Sequence, residues 1–470
     1  MQKLARPPGR IVILGYGSVG QAILELILQR YEIDPRNITV LDAIAHPIFK
    51  ARHENSGIRY IVKRIDKTNM ENVLIQLLSP GDFLVNVSLN IDGVAIVRWC
   101  LENGVQYIDT SIERWPDEPD ELIPDLSQRT LYSTHQEIRQ ACKDFIGRGP
   151  TCVVTHGANP GLVTHFTKQA VLNIATAMGV QFNPPQSREE WAQLMKATGT
   201  KVIHIAERDT QISKYPKRTN ESVNTWSVEG LWAEGRAPSE LGWGTHEDPN
   251  GPQGGSLHDY GPGNGAYLYQ PGVATLVKSW VPNGGKYNGF LIQHSEAITL
   301  SEYFTTEDQS FRPTVHYAYQ PCDGAVLSIH EMRNEQLRFH RRTRILKNSI
   351  VSGEDELGVL LMGHGLNAYW YGSQLDINAA RSLVPGESGT SLQVAASLLA
   401  AMTWAMENPN RGYVEPEYIP HDYILRIATP YLGNVVGVQS DWTPLQDRST
   451  LYGRKWNENN PWSFENFRVY

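Results

Sequence analysis

Two groups of residues in this 470-residue chain have the types and spacing to do chemistry. The first is the loop Gly15-Tyr16-Gly17-Ser18-Val19-Gly20, set between an apolar run, Ile11–Leu14, and a helix-patterned stretch, Ala22–Gln29. Gly15 permits a tight turn. Gly17 lets the backbone approach a pyrophosphate, and Gly20 allows helix and strand to pack closely. The helix start then offers free N–H groups, from Ser18 and Val19 onward, and the positive end of its dipole. Asp42 closes the next apolar run, Ile38–Leu41. A carboxylate there accepts hydrogen bonds from the adenosine ribose and repels a 2′-phosphate, so the pattern predicts NAD rather than NADP. Lys50 and Arg52 are the nearest cations.

The second group is Glu207, Asp209, Glu229 and Glu234, with Trp226 and Trp232 between them. Carboxylates and indole faces together suit an organic cation. A carboxylate beside a reacting amine takes its proton, and fixed negative charge favours a developing iminium. Arg208 and Arg236 lie in the same segment but are outnumbered by acids.

Positioning these groups requires a scaffold. Short apolar runs alternate with helical patterns through the first third: strands at Ile11–Leu14, Ile38–Leu41, Ile58–Val62, Asp82–Val87, Val105–Asp109 and Thr151–Thr155, with helices at Asn69–Leu78, Ile91–Glu102 and Ser127–Phe145. That alternation predicts an α/β fold, a Rossmann-type doubly wound parallel sheet. Ligands of such sheets sit outside the carboxyl ends of the strands. Ser88, Asp109, Thr110, Gly157 and Ala158 are therefore cofactor candidates, and Asp92 and Glu113 face the reacting side. Each has a plainer reading: Asp92 as a helix cap, Asp109 as an acceptor for backbone donors.

After residue 156 the alternation stops. One more helix, Val163–Ala175, leads into polar and aromatic segments that predict a second, α+β and β-rich domain for the substrate. Glycines and prolines crowd residues 240–290, but Trp243, Tyr260, Tyr267, Tyr269 and Trp280 among them argue for ordered loops. The expected domains are 1–155 for NAD, 156–385 for substrate, and 386–470 for an apolar helix, Ser391–Met406, followed by an aromatic arm.

Composition narrows the partners. A net charge of −8 argues against nucleic acid and anionic membrane. The chain has no apolar run of membrane-spanning length and no signal-peptide pattern at its start. Its four cysteines lie far apart without metal spacing, which predicts reduced thiols, a cytoplasmic location and no metal.

Three stretches carry a family resemblance: the glycine loop, Tyr107-Ile108-Asp109-Thr110 with Glu113 and Trp115, and Thr155-His156-Gly157-Ala158-Asn159-Pro160-Gly161. They resemble the saccharopine dehydrogenase-like superfamily. Ile205–Gln211, Asn224–Ser227 and Glu229–Glu234 more narrowly resemble bacterial homospermidine synthases. The resemblance implies conversion of two putrescines to sym-homospermidine and ammonia. A hydride leaves the amine-bearing carbon of one putrescine, a second amine attacks the imine, ammonia departs, and the same hydride returns. It further implies tightly held NAD, spermidine as another substrate, and a homodimer, for which the helix 391–406 and the aromatic tail offer surfaces. Carried over by motif, Glu207 and Glu234 bind ammonium ends and move protons, and Trp226 supplies the cation–π face. His294 is a proton partner, Asn159 orients the nicotinamide or amine, and Asp92 and Glu113 join the pocket. Two rivals remain: a saccharopine-type NAD(P)-dependent dehydrogenase, whose carboxylate substrates call for arginines, and a non-catalytic NAD-binding protein, which needs no acid cluster.

Overall fold

A computed structural model describes residues 3–116, 123–448 and 456–469. The chain folds into two compact units that are interleaved in sequence. One takes residues 1–124, 134–162 and 380–431; the other takes 125–133, 163–379 and 432–470.

The first unit is built on a parallel sheet of seven strands. Six are β1 (Ile11–Leu14), β2 (Ile38–Asp42), β3 (Arg59–Val62), β4 (Phe83–Asn86), β5 (Gln106–Asp109) and β6 (Cys152–Val153). The seventh, Tyr413–Val414, lies outside β6, giving the spatial order Tyr413–Val414, β6, β5, β4, β1, β2, β3. β1, β4 and β5 are buried throughout, as strands covered on both faces must be. The helix α1 (Ser18–Arg30) follows the glycine loop. Gly20 packs so tightly that a Cβ would lie 2.1 Å from the Gly15 carbonyl oxygen, whereas a Cβ on Gly17 meets nothing within 4 Å.

The expected helix 391–406 is Gly389–Glu407, and it is buried on nearly every side. Ser391 Oγ donates to Ser18 Oγ at 3.0 Å, the Tyr31 hydroxyl reaches Leu399 O, and Gln106 Nε2 donates to Ala405 O. The helix is therefore core of the nucleotide-type unit rather than a free face for a partner. The expected helix Ser127–Phe145 is broken into a short turn, Leu126–Arg129, a helix, Leu131–Cys142, and a final turn, Lys143–Phe145. The break has a physical cause. The Glu240 carboxylate, far off in sequence, accepts from Leu131 N and Tyr132 N at 2.9 and 2.8 Å and starts the helix there.

The second unit carries a mixed sheet of eleven strands. At its centre β7 (Val202–Asp209) pairs parallel with Thr314–Gln320 and antiparallel with Glu354–Met362. Trp462, Phe464 and Phe467 of the tail pack with Trp243, Trp370 and Trp442 in the core of this same unit. Both features from which a dimer surface was expected are thus consumed within the chain. All four cysteines are buried and free. No helix among the described residues is long and apolar enough to cross a membrane.

The two loop glycines separate on substitution. Gly20→Ala must force the loop off the helix and should cost about 1–3 kcal/mol, read as a lower Tm in a thermal melt. Gly17→Ala should leave Tm unchanged; equal losses for the two variants would contradict this packing.

Candidate functional site

In the first unit the glycine loop is held from below. Tyr16 N–H donates to Asp42 Oδ2 at 2.6 Å and Ile44 N–H donates to Asp42 Oδ1 at 2.9 Å. The Tyr16 ring is buried, edge-on to Phe49 at 5.1 Å and to Tyr60 at 5.9 Å. Gly15, at φ +94°, has a conformation and a close approach to Val87 that exclude a side chain. The N-cap of α1 is Gly17, with no side-chain cap and no acid in the first turn, so its N–H groups are left for an anion. This is a cradle that fits a pyrophosphate. The lysine and arginine nearest Asp42 in sequence are committed elsewhere: Lys50 faces Glu54 at 3.4 Å, and Arg52 donates to Pro385 O, while His46 Nε2 lies 3.4 Å from Asp42 Oδ2.

The remaining candidates of this unit cluster at strand ends, but several have local duties. Asp92 caps the helix Gly93–Glu102, accepting from Ala95 N at 2.8 Å. Asp92 and Glu113 adjoin through their backbones, Gly93 N–H bonds Glu113 O, and Glu113 Oε1 accepts from Ser111 Oγ at 3.1 Å. Asp109 is enclosed, with Tyr107 Oη and Thr155 N–H on its two oxygens. Burial lifts it to about 7, against those donors and with help from Glu113. Asp109 shapes the loops after β5 and β6 rather than offering a free carboxylate. Ser88 Oγ bonds Asn86 Oδ1 at 2.6 Å, and Ser18 Oγ is taken by Ser391. After β6, Thr110 and Gly157 touch, Ala158 is buried and Asn159 is half-buried in the turn closed by Gly161 at φ +120°. His156 is no proton partner: burial lowers it to about 3, and its Nδ1 lies 3.1 Å from Ser397 Oγ.

In the second unit the structure gathers four of the predicted residues. Glu207 lies on β7 and is 2% exposed. The Tyr317 hydroxyl donates to Glu207 Oε2. His294 precedes the helix Ser295–Tyr303, with its ring 4.7 Å from that of Tyr317 at 83°. His294 Nδ1 is 2.8 Å from Glu296 Oε2. Burial, the largest influence, pulls the His294 pKa down, but the Glu296 bond and the charges of Glu296, Glu234 and Glu207 outweigh it, so the net shift is upward. Glu234, half-buried on the helix Val228–Arg236, thus acts on both His294 and Tyr317. Trp226 leads into that helix. Its Nε1–H donates to Tyr319 Oη at 3.2 Å, and its ring lies where a Cβ on Gly230 would sit, 2.8 Å away.

Three other members of the acid-and-tryptophan segment are placed differently, although the charge of Asp209 acts on Tyr319. Asp209 accepts from Thr225 Oγ1 and Gln211 N, and burial holds it above the usual carboxylate range. Glu229 is exposed. Trp232 is covered by the Arg236 guanidinium, 4.1 Å from its centroid, and donates to Leu337 O. Arg208 donates to Gly284 O. Both arginines of the segment thus have partners, Arg236 in Trp232 and Arg208 in Gly284 O. The sequence reading passed over Tyr317, Tyr319 and Glu296. The alternation Tyr317-Ala318-Tyr319 places both rings on one sheet face and was the available signal. One further cluster, Glu331, Glu335 and His340, has metal-like spacing, but Glu331 already holds Lys217 Nζ and Asn220 N–H.

Two family models match the chain. The family described as saccharopine dehydrogenase NADP binding domain matches residues 11–153, and the saccharopine dehydrogenase C-terminal domain matches 157–439. Homospermidine synthase of Blastochloris viridis is 44% identical, spanning 99% of this chain and 98% of its own length. That of Mesorhizobium japonicum is 42% identical over 98% and 96%. The crystal structure of Legionella pneumophila homospermidine synthase in complex with NAD superimposes with a TM-score of 0.92, at 41% identity, covering 99% and 98% of the two chains. Apo saccharopine dehydrogenase (L-Glu forming) from Saccharomyces cerevisiae shares the fold alone, with a TM-score of 0.51 at 12% identity. With both domains matched and relatives above 40% identity along nearly the whole length, the chain belongs to the homospermidine synthase family of saccharopine dehydrogenase-like enzymes.

Proposed function

We propose that this chain is an NAD-dependent homospermidine synthase, joining two putrescines into sym-homospermidine with release of ammonia. The observation that carries the reading is the gathering of Glu207, His294 and Trp226 about Tyr317 and Tyr319, with the charge of Glu234 acting on His294 and Tyr317. A carboxylate substrate would need the opposite sign, which disfavours an amino-acid dehydrogenase. A purely NAD-binding protein would have no use for buried acids.

Gly15, Gly17 and Gly20 would hold the pyrophosphate, and Asp42 the adenosine ribose. Ser18, Val19, Ser88, Asp109, Thr110, Gly157, Ala158 and Asn159 would line or shape the rest of that cleft. The carboxylate and the engaged Lys50 and Arg52 favour NAD over NADP. Bound there, NAD supplies the acceptor for a hydride from the amine-bearing carbon and later returns it, so the reaction has no net redox change.

The chain's own residues do the rest. Glu207 and Glu234 bind ammonium ends, and one of them takes the proton that must leave before the amine loses hydride. Trp226 faces the cation and stabilises it without reacting with it. Glu296 keeps the His294 Nδ1 side protonated, leaving Nε2 for proton exchange with substrate. Asp92 and Glu113, carried over by motif, are proposed as further acidic residues for the second amine. Spermidine as a substrate, a homodimeric assembly and NAD retained as a prosthetic group complete the reading. They rest on the family resemblance, and solution sizing and cofactor extraction check the last two.

Incubating the protein with putrescine and NAD⁺ should yield homospermidine and ammonia without build-up of NADH. Bulk NADH would instead mark a net dehydrogenase. Trp226→Ala should reduce kcat/KM about 30-fold, from ~2 kcal/mol of desolvated cation–π attraction, and Trp226→Phe markedly less. Equal losses would remove the cation–π role. Glu234→Gln should fold normally yet lower kcat about 100-fold, the low end expected for a lost proton-transfer group. An unchanged rate would take Glu234 out of the site.

A further inference from the structure

We propose that Tyr317 and Tyr319 are positioning residues of the reaction, a stacked pair that locks the Glu207 carboxylate and the Trp226 indole into one array. The inference rests on the function proposed above.

The argument starts from the strand. Thr314–Gln320 pairs parallel with β7, Tyr317 opposite Ile205 and Tyr319 opposite Glu207. Alternate residues share a face, so both phenol rings lie on the face that carries Glu207. The rings stack 5.1 Å apart at 13°. Tyr317 and Tyr319 are 3% and 1% exposed, so their hydroxyls have been taken from water at a cost that a phenylalanine would not incur. Each hydroxyl meets a site residue. Tyr317 donates to Glu207 Oε2, and Tyr319 accepts from Trp226 Nε1.

The contrast with Tyr287 is informative. It too is buried in this sheet, but its hydroxyl donates to the backbone carbonyl of Ala318 at 2.8 Å, an ordinary structural solution. Tyr317 and Tyr319 use their hydroxyls on the acid and the indole instead. Tyr317 also sets its ring edge-to-face with His294 and feels the charges of Glu207 and Glu234. It therefore contacts or senses Glu207, Glu234 and His294, and reaches Trp226 through the stacked Tyr319. A hydrogen bond to an ionised carboxylate fixes the orientation in which it meets the substrate amine. A bond to the indole N–H, with Gly230 beneath the ring, fixes the plane that faces the cation.

Single-atom deletions test this, because Tyr→Phe keeps the ring stack. Tyr317→Phe should lower kcat about tenfold, the scale of a lost bond to a charged group, with KM for putrescine within about twofold. In a Glu207→Ala background, read on its residual activity, the same change should cost nothing further, since the acceptor is gone. Tyr319→Phe should weaken calorimetric putrescine binding to the protein as purified about threefold, and should add nothing to Trp226→Phe. Losses that multiply in either double variant would overturn the array, as would a Tyr317→Phe effect confined to KM. The binding cycle is read without turnover. A wild-type protein that makes no homospermidine therefore sinks the proposed reaction, while non-additive binding still upholds the array.

Discussion

Buried negative charge is the constraint on which the second unit is organised. Glu207 and Glu296 are almost wholly removed from water, and Glu234 is half removed. Carboxylates in such surroundings are costly unless donors or cations meet them. The protein meets them in part with a tyrosine hydroxyl and a histidine. The guanidinium of Arg236 stacks on Trp232, and that of Arg208 bonds Gly284 O. Further positive charge at the site lowers the cost of the buried acids. A dication fits that demand: each ammonium it brings lowers the cost of an acid already in place, and the indole of Trp226 adds attraction without competing for the proton.

The first unit solves the opposite problem with backbone alone. Its loop offers N–H groups and a helix dipole to an anion, and it keeps side chains out of the way. Asp42 serves twice there. It ties Tyr16 and Ile44 through their N–H groups, fixing the loop after β2 to the loop after β1, and a carboxylate has acceptor capacity beyond those two bonds. That leaves it able to meet ribose hydroxyls while holding the loop that meets the phosphates.

What was legible in the sequence follows from range. The glycine loop, Asp42 and the β–α alternation are local, so spacing sufficed. Glu207, Trp226, Glu234 and His294 became legible through long motif matches, and the structure gathers them by pairing strands more than 100 positions apart. Tyr317 and Tyr319 have no local mark beyond alternation; their meaning appears only when Thr314–Gln320 lies beside β7. The seventh strand of the first sheet has only Tyr413 and Val414, and it is held by Cys152 N–H on Gly412 O and Val154 N–H on Val414 O. No periodicity can announce two residues. The apolar helix and aromatic tail read locally as segments that pack on the nucleotide domain or on a partner subunit; which surface they meet is not legible, because their partners, Ser18 and Gln106 for one and Trp243 and Trp370 for the other, lie far off in sequence.

The sign of the site turns on one step of the pleat. Glu207 and Arg208 are neighbours on β7, so they point to opposite faces. Glu207 meets Tyr317, whereas Arg208 crosses to Gly284. A slip of one residue would exchange them and turn a cation pocket into an anion pocket. The register is therefore as much a part of the chemistry as the acid. It is fixed from both sides, by seven paired positions along Thr314–Gln320 and eight along Glu354–Met362. On the second of these strands Gly358 faces Trp370, and a Cβ there would lie 2.6 Å from the indole. That close packing favours this alignment of Glu354–Met362 with its other neighbour, Ala368–Asp376. The same fold reaches a saccharopine dehydrogenase at 12% identity, so the scaffold tolerates almost any sequence. What cannot vary freely, if a diamine is to bind, is which of two adjacent side chains on one central strand faces the aromatic pair.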